Sequence, residues 1–183
     1  NFKKAYKINT DASYDPYKII ELLSSKLFKT TICTQTTCLK LYKENEIFQV
    51  ETNKGLVRGK RVVASTNAHI GKLVKELDLQ IQPVRAQIAY LKLNADIISK
   101  SNHSIPSERI YFRKYGDGVI MGGLRYLDSD EENTDEVELN EKIQDAIVDI
   151  CEKYFGKVEL IQKWSGIMGF TQDEQPIYGA SKM

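Results

Sequence analysis

Trp164-Ser165-Gly166-Ile167-Met168-Gly169-Phe170-Thr171-Gln172-Asp173-Glu174-Gln175-Pro176-Ile177-Tyr178-Gly179 is the stretch around which the rest of the chain reads. It carries the single tryptophan together with Gly166, Gly169, Gly179 and Pro176. Glycines admit a close backbone approach or a positive φ, and a proline halts regular structure. The stretch reads as a strand running into a tight loop, with its main chain laid against something other than a side chain. A plain strand and turn closing a sheet accounts for the same spacing, and short glycine motifs alone favour that simpler reading.

Working outward, 183 residues suit one domain, or a domain with pieces of a second. A net charge of +1 gives no bulk electrostatic support to a nucleic-acid or anionic-membrane partner. No apolar run approaches the roughly 20 residues of a membrane span. Asn1-Phe2-Lys3-Lys4 is no signal peptide and lacks an initiating Met, so the chain reads as cut, processed or internal to a longer product. Cys33, Cys38 and Cys151 are odd in number and lack metal-type spacing, which argues for reduced thiols and a cytoplasmic location. The spacing of His69 and His103 likewise suggests no metal site.

Asp15-Pro16 opens a helix as N-cap and first helical residue, with Ile19, Leu22, Leu23 and Leu27 on one face, ending near Phe28. Thr31–Leu41, Phe48–Thr52 and Val57–Ser65 read as three strands, and a helix resumes over about Ile70–Leu77. Small polar residues at the end of the third strand, Ala64-Ser65-Thr66-Asn67, suit a ligand at a strand's C-terminal end, or an ordinary strand-to-helix connection. Pro83–Leu93 alternates as a long strand, with Arg85 and Gln87 as the interleaved polar positions. Residues 94–108 read as loop, and Arg109–Lys114 with Val119–Leu124 as a hairpin about Tyr115-Gly116-Asp117-Gly118. Asp128–Glu138 reads as a solvated acidic loop before a helix over about Glu136–Tyr154, which Gly156 ends. Val158–Trp164 is the last strand. The order is mixed α+β: an antiparallel sheet with flanking helices rather than a regular βαβ array.

Six of these pieces, in this order, resemble the FAD-dependent oxidoreductases of the D-amino-acid oxidase and glycine oxidase superfamily. They are Asp15-Pro16 with its Leu-rich helix, Thr36–Leu41, Val62–Asn67, Pro83–Gln87, Tyr111–Gly123, and Trp164-Ser165-Gly166 through Asp173, Pro176 and Gly179. The resemblance implies residues 1–80 and 161–183 as parts of an FAD-binding α/β domain, and 81–160 as a substrate domain roofing the flavin. It implies FAD contacts at Cys38, Ala64, Ser65, Thr66, Gly166, Asp173, Pro176 and Gly179, and substrate contacts at Tyr90, Tyr111 and Arg113. The activity implied is hydride transfer from an amine or amino-acid C–N carbon to flavin.

Two departures stand out. No GxGxxG fingerprint occurs in these residues, so weak or no FAD binding by this chain alone is expected, and the remainder of the same gene product becomes a candidate partner. Met168 stands where the resemblance leads one to expect a carboxylate-binding Arg, and a thioether cannot replace a bidentate guanidinium. Arg113 and Arg125 are the remaining candidates for an anion contact. A non-catalytic interaction protein retaining the oxidoreductase scaffold is the alternative reading.

Overall fold

Capping chemistry and apolar periodicity set the elements. The computed structural model describes residues 5–10, 12–75, 80–94 and 99–180. The chain divides into two compact units, one up to Thr34 and the other from Gln35 on. In the first, Asp15 accepts from the Tyr17 and Lys18 amides and Pro16 takes the first helical position of α1 (Pro16–Ser24). The helix stops a turn short of the expected Phe28 and buries none of its residues.

The second unit holds two antiparallel sheets. In the smaller, β1 (Cys38–Glu44), β2 (Ile47–Thr52) and β3 (Gly55–Gly59) pair in sequence order. Asn45 and Glu46 both have positive φ, the twist a two-residue hairpin needs between Glu44 and Ile47. The expected strands are shorter here. Residues 31–37 lie outside β1, so Cys33 shares no strand with Cys38, and the third strand ends at Gly59. Residues 61–66 pair with no neighbour among the described residues, and Val63 is 89% exposed. A strand exists only through its ladder, and apolar β-branched residues do not make one alone. The helix expected from Ile70 is a 3-10 turn (Asn67–His69) followed by the single turn of α2 (Ile70–Leu73). Its expected end at Leu77 lies outside the described residues.

The larger sheet runs β5-β6-β7-β4-β8, antiparallel throughout. Its strands are β4 (Ile81–Leu93), β5 (Asn102–Ile105), β6 (Ile110–Tyr115), β7 (Gly118–Gly123) and β8 (Val158–Thr171). β5 falls where loop was expected; Asn102-His103-Ser104 has little of the composition that marks a strand, and pairing with β6 makes it one. β8 continues past Trp164 through Gly166 and Gly169 and pairs with β4 from Val158 to Thr171. The plain reading of the opening stretch, a strand followed by a turn, therefore holds as far as Glu174, whose amide closes on the Thr171 carbonyl at 3.2 Å.

α4 (Glu141–Phe155) covers one face of this sheet. Asn140, rather than a residue near Glu136, caps it by accepting from the Ile143 amide, and Gly156 ends it at φ 77°. Ile143, Ile147, Ile150 and Cys151 pack on Ala89, Leu91, Leu93, Ile110, Val119 and Met121. Each large side chain buried there contributes about 1.5–3 kcal/mol.

The acidic run is not simply a solvated loop. It contains α3 (Ser129–Glu132), and Glu132 is 0% exposed. Arg85 and Gln87, on the covered face of β4, are buried with it. Arg85 Nε and Nη2 donate to Glu132 Oε1 at 3.1 and 3.0 Å, and Gln87 Nε2 donates to both carboxylate oxygens. Together these elements make the expected α+β architecture. Among the described residues no helix is long and apolar enough to cross a membrane.

Candidate functional site

With α4 on one face, strand alternation turns Ala86, Ile88 and Tyr90 of β4 to the other. The register aligns them with Gly166, Trp164 and Gln162 of β8, and aligns Ile88 and Tyr90 with Gly122 and Ile120 of β7. Tyr111, Arg113 and Tyr115 of β6 lie opposite Gly122, Ile120 and Gly118 on this second face. A Cβ on Gly122 would stand 2.8 Å from the Tyr111 hydroxyl, so the absent side chain is what lets the ring lie across β7.

Two of the three expected substrate contacts cluster near the β6–β7 hairpin. Tyr90 donates its hydroxyl to Asp117 at 2.7 Å and meets Tyr115 edge-on at 5.5 Å, while the Arg113 guanidinium lies 5.7 Å from the Tyr115 ring. That hydrogen bond is the chief cause raising the Tyr90 phenol above its ordinary pKa and lowering the Asp117 carboxyl below its own. Tyr111 instead lines a cleft of about 340 Å³ at the other end of β6, with Ala86, Leu124, Arg125, Met168 and Phe170. Burial raises the Tyr111 phenol above its ordinary value.

Arg109 and Tyr126 complete one wall of the cleft, with the guanidinium 4.8 Å from the ring centroid. Arg125 opens the short 3-10 segment Arg125–Asp128 and stacks over Phe170 of β8 at 4.9 Å. The bend that delivers it is Leu124 at φ 60°, an unfavourable region for a bulky side chain, secured by the hydrogen bond its amide donates to the Arg109 carbonyl at 3.0 Å. The pairing of Arg125 with Arg109 in one cleft was not visible in sequence. One arginine comes from the turn before β6 and the other from the segment after β7.

The expected cofactor residues fall into three groups. Cys38 is half-buried at the start of β1, beside an irregularity in its ladder. Ala64, Ser65 and Thr66 are exposed in the unpaired stretch, and the Thr66 carbonyl accepts from His69. On β8, a Cβ at Gly169 would lie 2.9 Å from Asn67 Oδ1 and 3.2 Å from the Ala68 Cα. Glycine there brings β8 against the turn that directly follows Thr66, joining the second group to the strand that carries Gly166. Among the described residues, no atom lies within 4 Å of where a Gly166 Cβ would be. Asp173 accepts from the Gln175 amide at 3.1 Å, and Pro176 and Gly179 continue as exposed irregular chain.

No family model matches the chain. It is 24% identical over 142 residues to glycine oxidase of Pseudomonas aeruginosa, covering 74% of this chain and 36% of that enzyme. Glycine oxidase from Geobacillus kaustophilus superposes with a TM-score of 0.65 at 15% identity, over 80% of this chain and 40% of the other. The chain has the fold of part of a glycine oxidase. The glycine-oxidase-like fold extends to L-proline dehydrogenase from P. horikoshii, at TM-score 0.63 and 20% identity, over 80% of this chain and 41% of the other. The resemblance carried by the six ordered motifs is thus also found in a curated sequence and in solved structures. The chain spans about two fifths of these relatives' length.

Proposed function

We propose that this chain is the central and late part of an FAD-dependent oxidoreductase that takes hydride from a carbon bearing an amine nitrogen. The observation that carries the reading is the uncovered face of the larger sheet. It presents Tyr111 and the cleft beside Gly166, while Gly169 joins that strand to the turn after Ala64-Ser65-Thr66. The small residues Ala86 and Gly166, with no described residue within 4 Å of a Gly166 Cβ, fit a flat ring system.

In this reading residues 1–80 and 161–183 belong to the flavin-binding side, and 81–160 supply most of the substrate roof. Cys38, Ala64, Ser65, Thr66, Gly166, Asp173, Pro176 and Gly179 hold FAD. Bound flavin supplies the redox chemistry. The chain's own residues orient a small amine or amino-acid substrate: Tyr111 offers a neutral hydroxyl, and Tyr90 and Arg113 approach from the hairpin end. Met168 and Phe170 keep water from the reacting carbon. The remainder of the same gene product is the partner that completes the cofactor site, and the protein works in the cytoplasm.

The test is the visible spectrum of the full-length gene product purified under mild conditions, followed by anaerobic addition of glycine or L-proline. Flavin absorbance that bleaches with an amine is the expected result. A folded, colourless product that takes up no FAD sinks the proposal and leaves the non-catalytic scaffold.

A further inference from the structure

Gly122 is buried inside β7, and its backbone does not call for glycine: it lacks the positive φ of its neighbour Gly123, which sits at 126°. A glycine in a strand interior costs backbone entropy and gives up packing, and a close approach by another group is the usual reason for one. Two groups approach here. A Cβ would stand 2.8 and 2.9 Å from the Tyr111 hydroxyl and Cζ, and 3.0 Å from the Gln87 carbonyl of β4. The hydroxyl is also set apart by its bonding. Tyr90 donates to Asp117 and Tyr154 to Glu108, whereas the Tyr111 hydroxyl has no hydrogen-bond partner among the described residues. Shape rather than a hydrogen bond therefore sets this ring, and its O–H and lone pairs stay available in the cleft that Tyr111 lines.

We propose that Gly122 is a positioning residue: the space left by its missing side chain seats the Tyr111 ring against β7, so that the unbonded hydroxyl meets a polar group of the ligand in the cleft. A Cβ at this position would lift the ring off β7 and carry the hydroxyl away from its seat. Core neighbours cannot absorb such an overlap without moving. The Gln87 carbonyl offers a competing reason for the glycine, namely room for the backbone of β4. As a contribution to handling an amine substrate, the role of the hydroxyl rests on the oxidoreductase reading; the seating of the ring does not.

The experiment has two arms. Thermal unfolding of the purified protein measures the cost of Gly122→Ala in two backgrounds, the native one and Tyr111→Leu, whose shorter side chain vacates the seat. Alanine is expected to lower the melting temperature much less beside leucine than beside tyrosine, a coupling that only neighbours in contact produce. A Gly122→Ala protein that folds only in the Tyr111→Leu background supports the proposal equally. The same cost in both backgrounds, or failure to fold in both, assigns the glycine to the Gln87 carbonyl and overturns it. The second arm uses the full-length gene product carrying FAD and follows anaerobic flavin reduction by glycine or L-proline. Tyr111→Phe should lower the ratio of reduction rate to dissociation constant about fivefold, as loss of one neutral hydrogen bond does. Gly122→Ala should lower it as much, and the double variant Gly122→Ala/Tyr111→Phe no further than Tyr111→Phe alone. Additive losses, or an unaltered ratio in Tyr111→Phe, overturn the positioning role. A product without flavin, or one that neither amine reduces, while the first arm behaves as expected, counts against the oxidoreductase reading alone.

Discussion

Glu132 shows how a single residue can depend on distant partners. Its carboxylate accepts from Arg85, Gln87 and, at 3.1 Å, Asn140, and none of it reaches solvent. Removing one member leaves an opposing charge buried and unpaired, whereas removing both removes the problem. Glu132→Ala should therefore lower the unfolding free energy in urea by about 3–5 kcal/mol, and the double change Arg85→Met with Glu132→Leu should recover most of it. A loss below about 1 kcal/mol in the single variant would show that water already reaches the pair. Nothing local in Ser129-Asp130-Glu131-Glu132 marks the last acid as buried, because its partners lie on β4 and ahead of α4. Cys151 gives a second residue-scale test. Burial is the main cause pushing its thiol from the ordinary 9.0 up to about 12. Between those values the unfolded chain gives up a proton that the folded chain keeps, so this group lowers stability as pH rises from about 9 to 12 and has no effect below. A thiol reagent at pH 8 should label exposed Cys33 and reach Cys151 only after denaturation; rapid native labelling of Cys151 would contradict its burial.

At the scale of elements, the parts with strong local chemistry were legible and the parts made by pairing were not. Asp15-Pro16, Tyr115-Gly116-Asp117-Gly118 and Gly156 each state their role through caps, turns or backbone freedom. β5 and residues 61–66 err in opposite directions. The first has poor strand composition and a partner, while the second has good strand composition and none among the described residues. Gly118 is a sharper case, since its turn role hides a packing role: an added Cβ would overlap the Leu91 carbonyl on neighbouring β4. Gly118→Ala should thus force β7 away from β4 and destabilise the fold by about 1–3 kcal/mol, although the hairpin itself tolerates alanine. Thermal unfolding measures this, and an unchanged midpoint would show that the strands can separate there without loss.

For the whole molecule, the class of fold and the family resemblance came from the order of motifs, which survives at low identity. The cleft did not, because its walls come from segments joined only by folding: Arg109 before β6, Arg125 after β7, and Met168 and Phe170 on β8. Tyr111 is the expected contact that lines it, while Tyr90 and Arg113 lie nearer the hairpin. The pairing of β4 with β8 also bears on how the chain is made. Ile81 meets Thr171 and Leu93 meets Val158, so β4 leaves the ribosome long before the strand that will cover its edge. Until then the nascent chain carries a thirteen-residue ladder bare on that side, open to β-pairing with other chains. A translational pause before Val158 would prolong that exposure, and one placed after Thr171 has emerged would not.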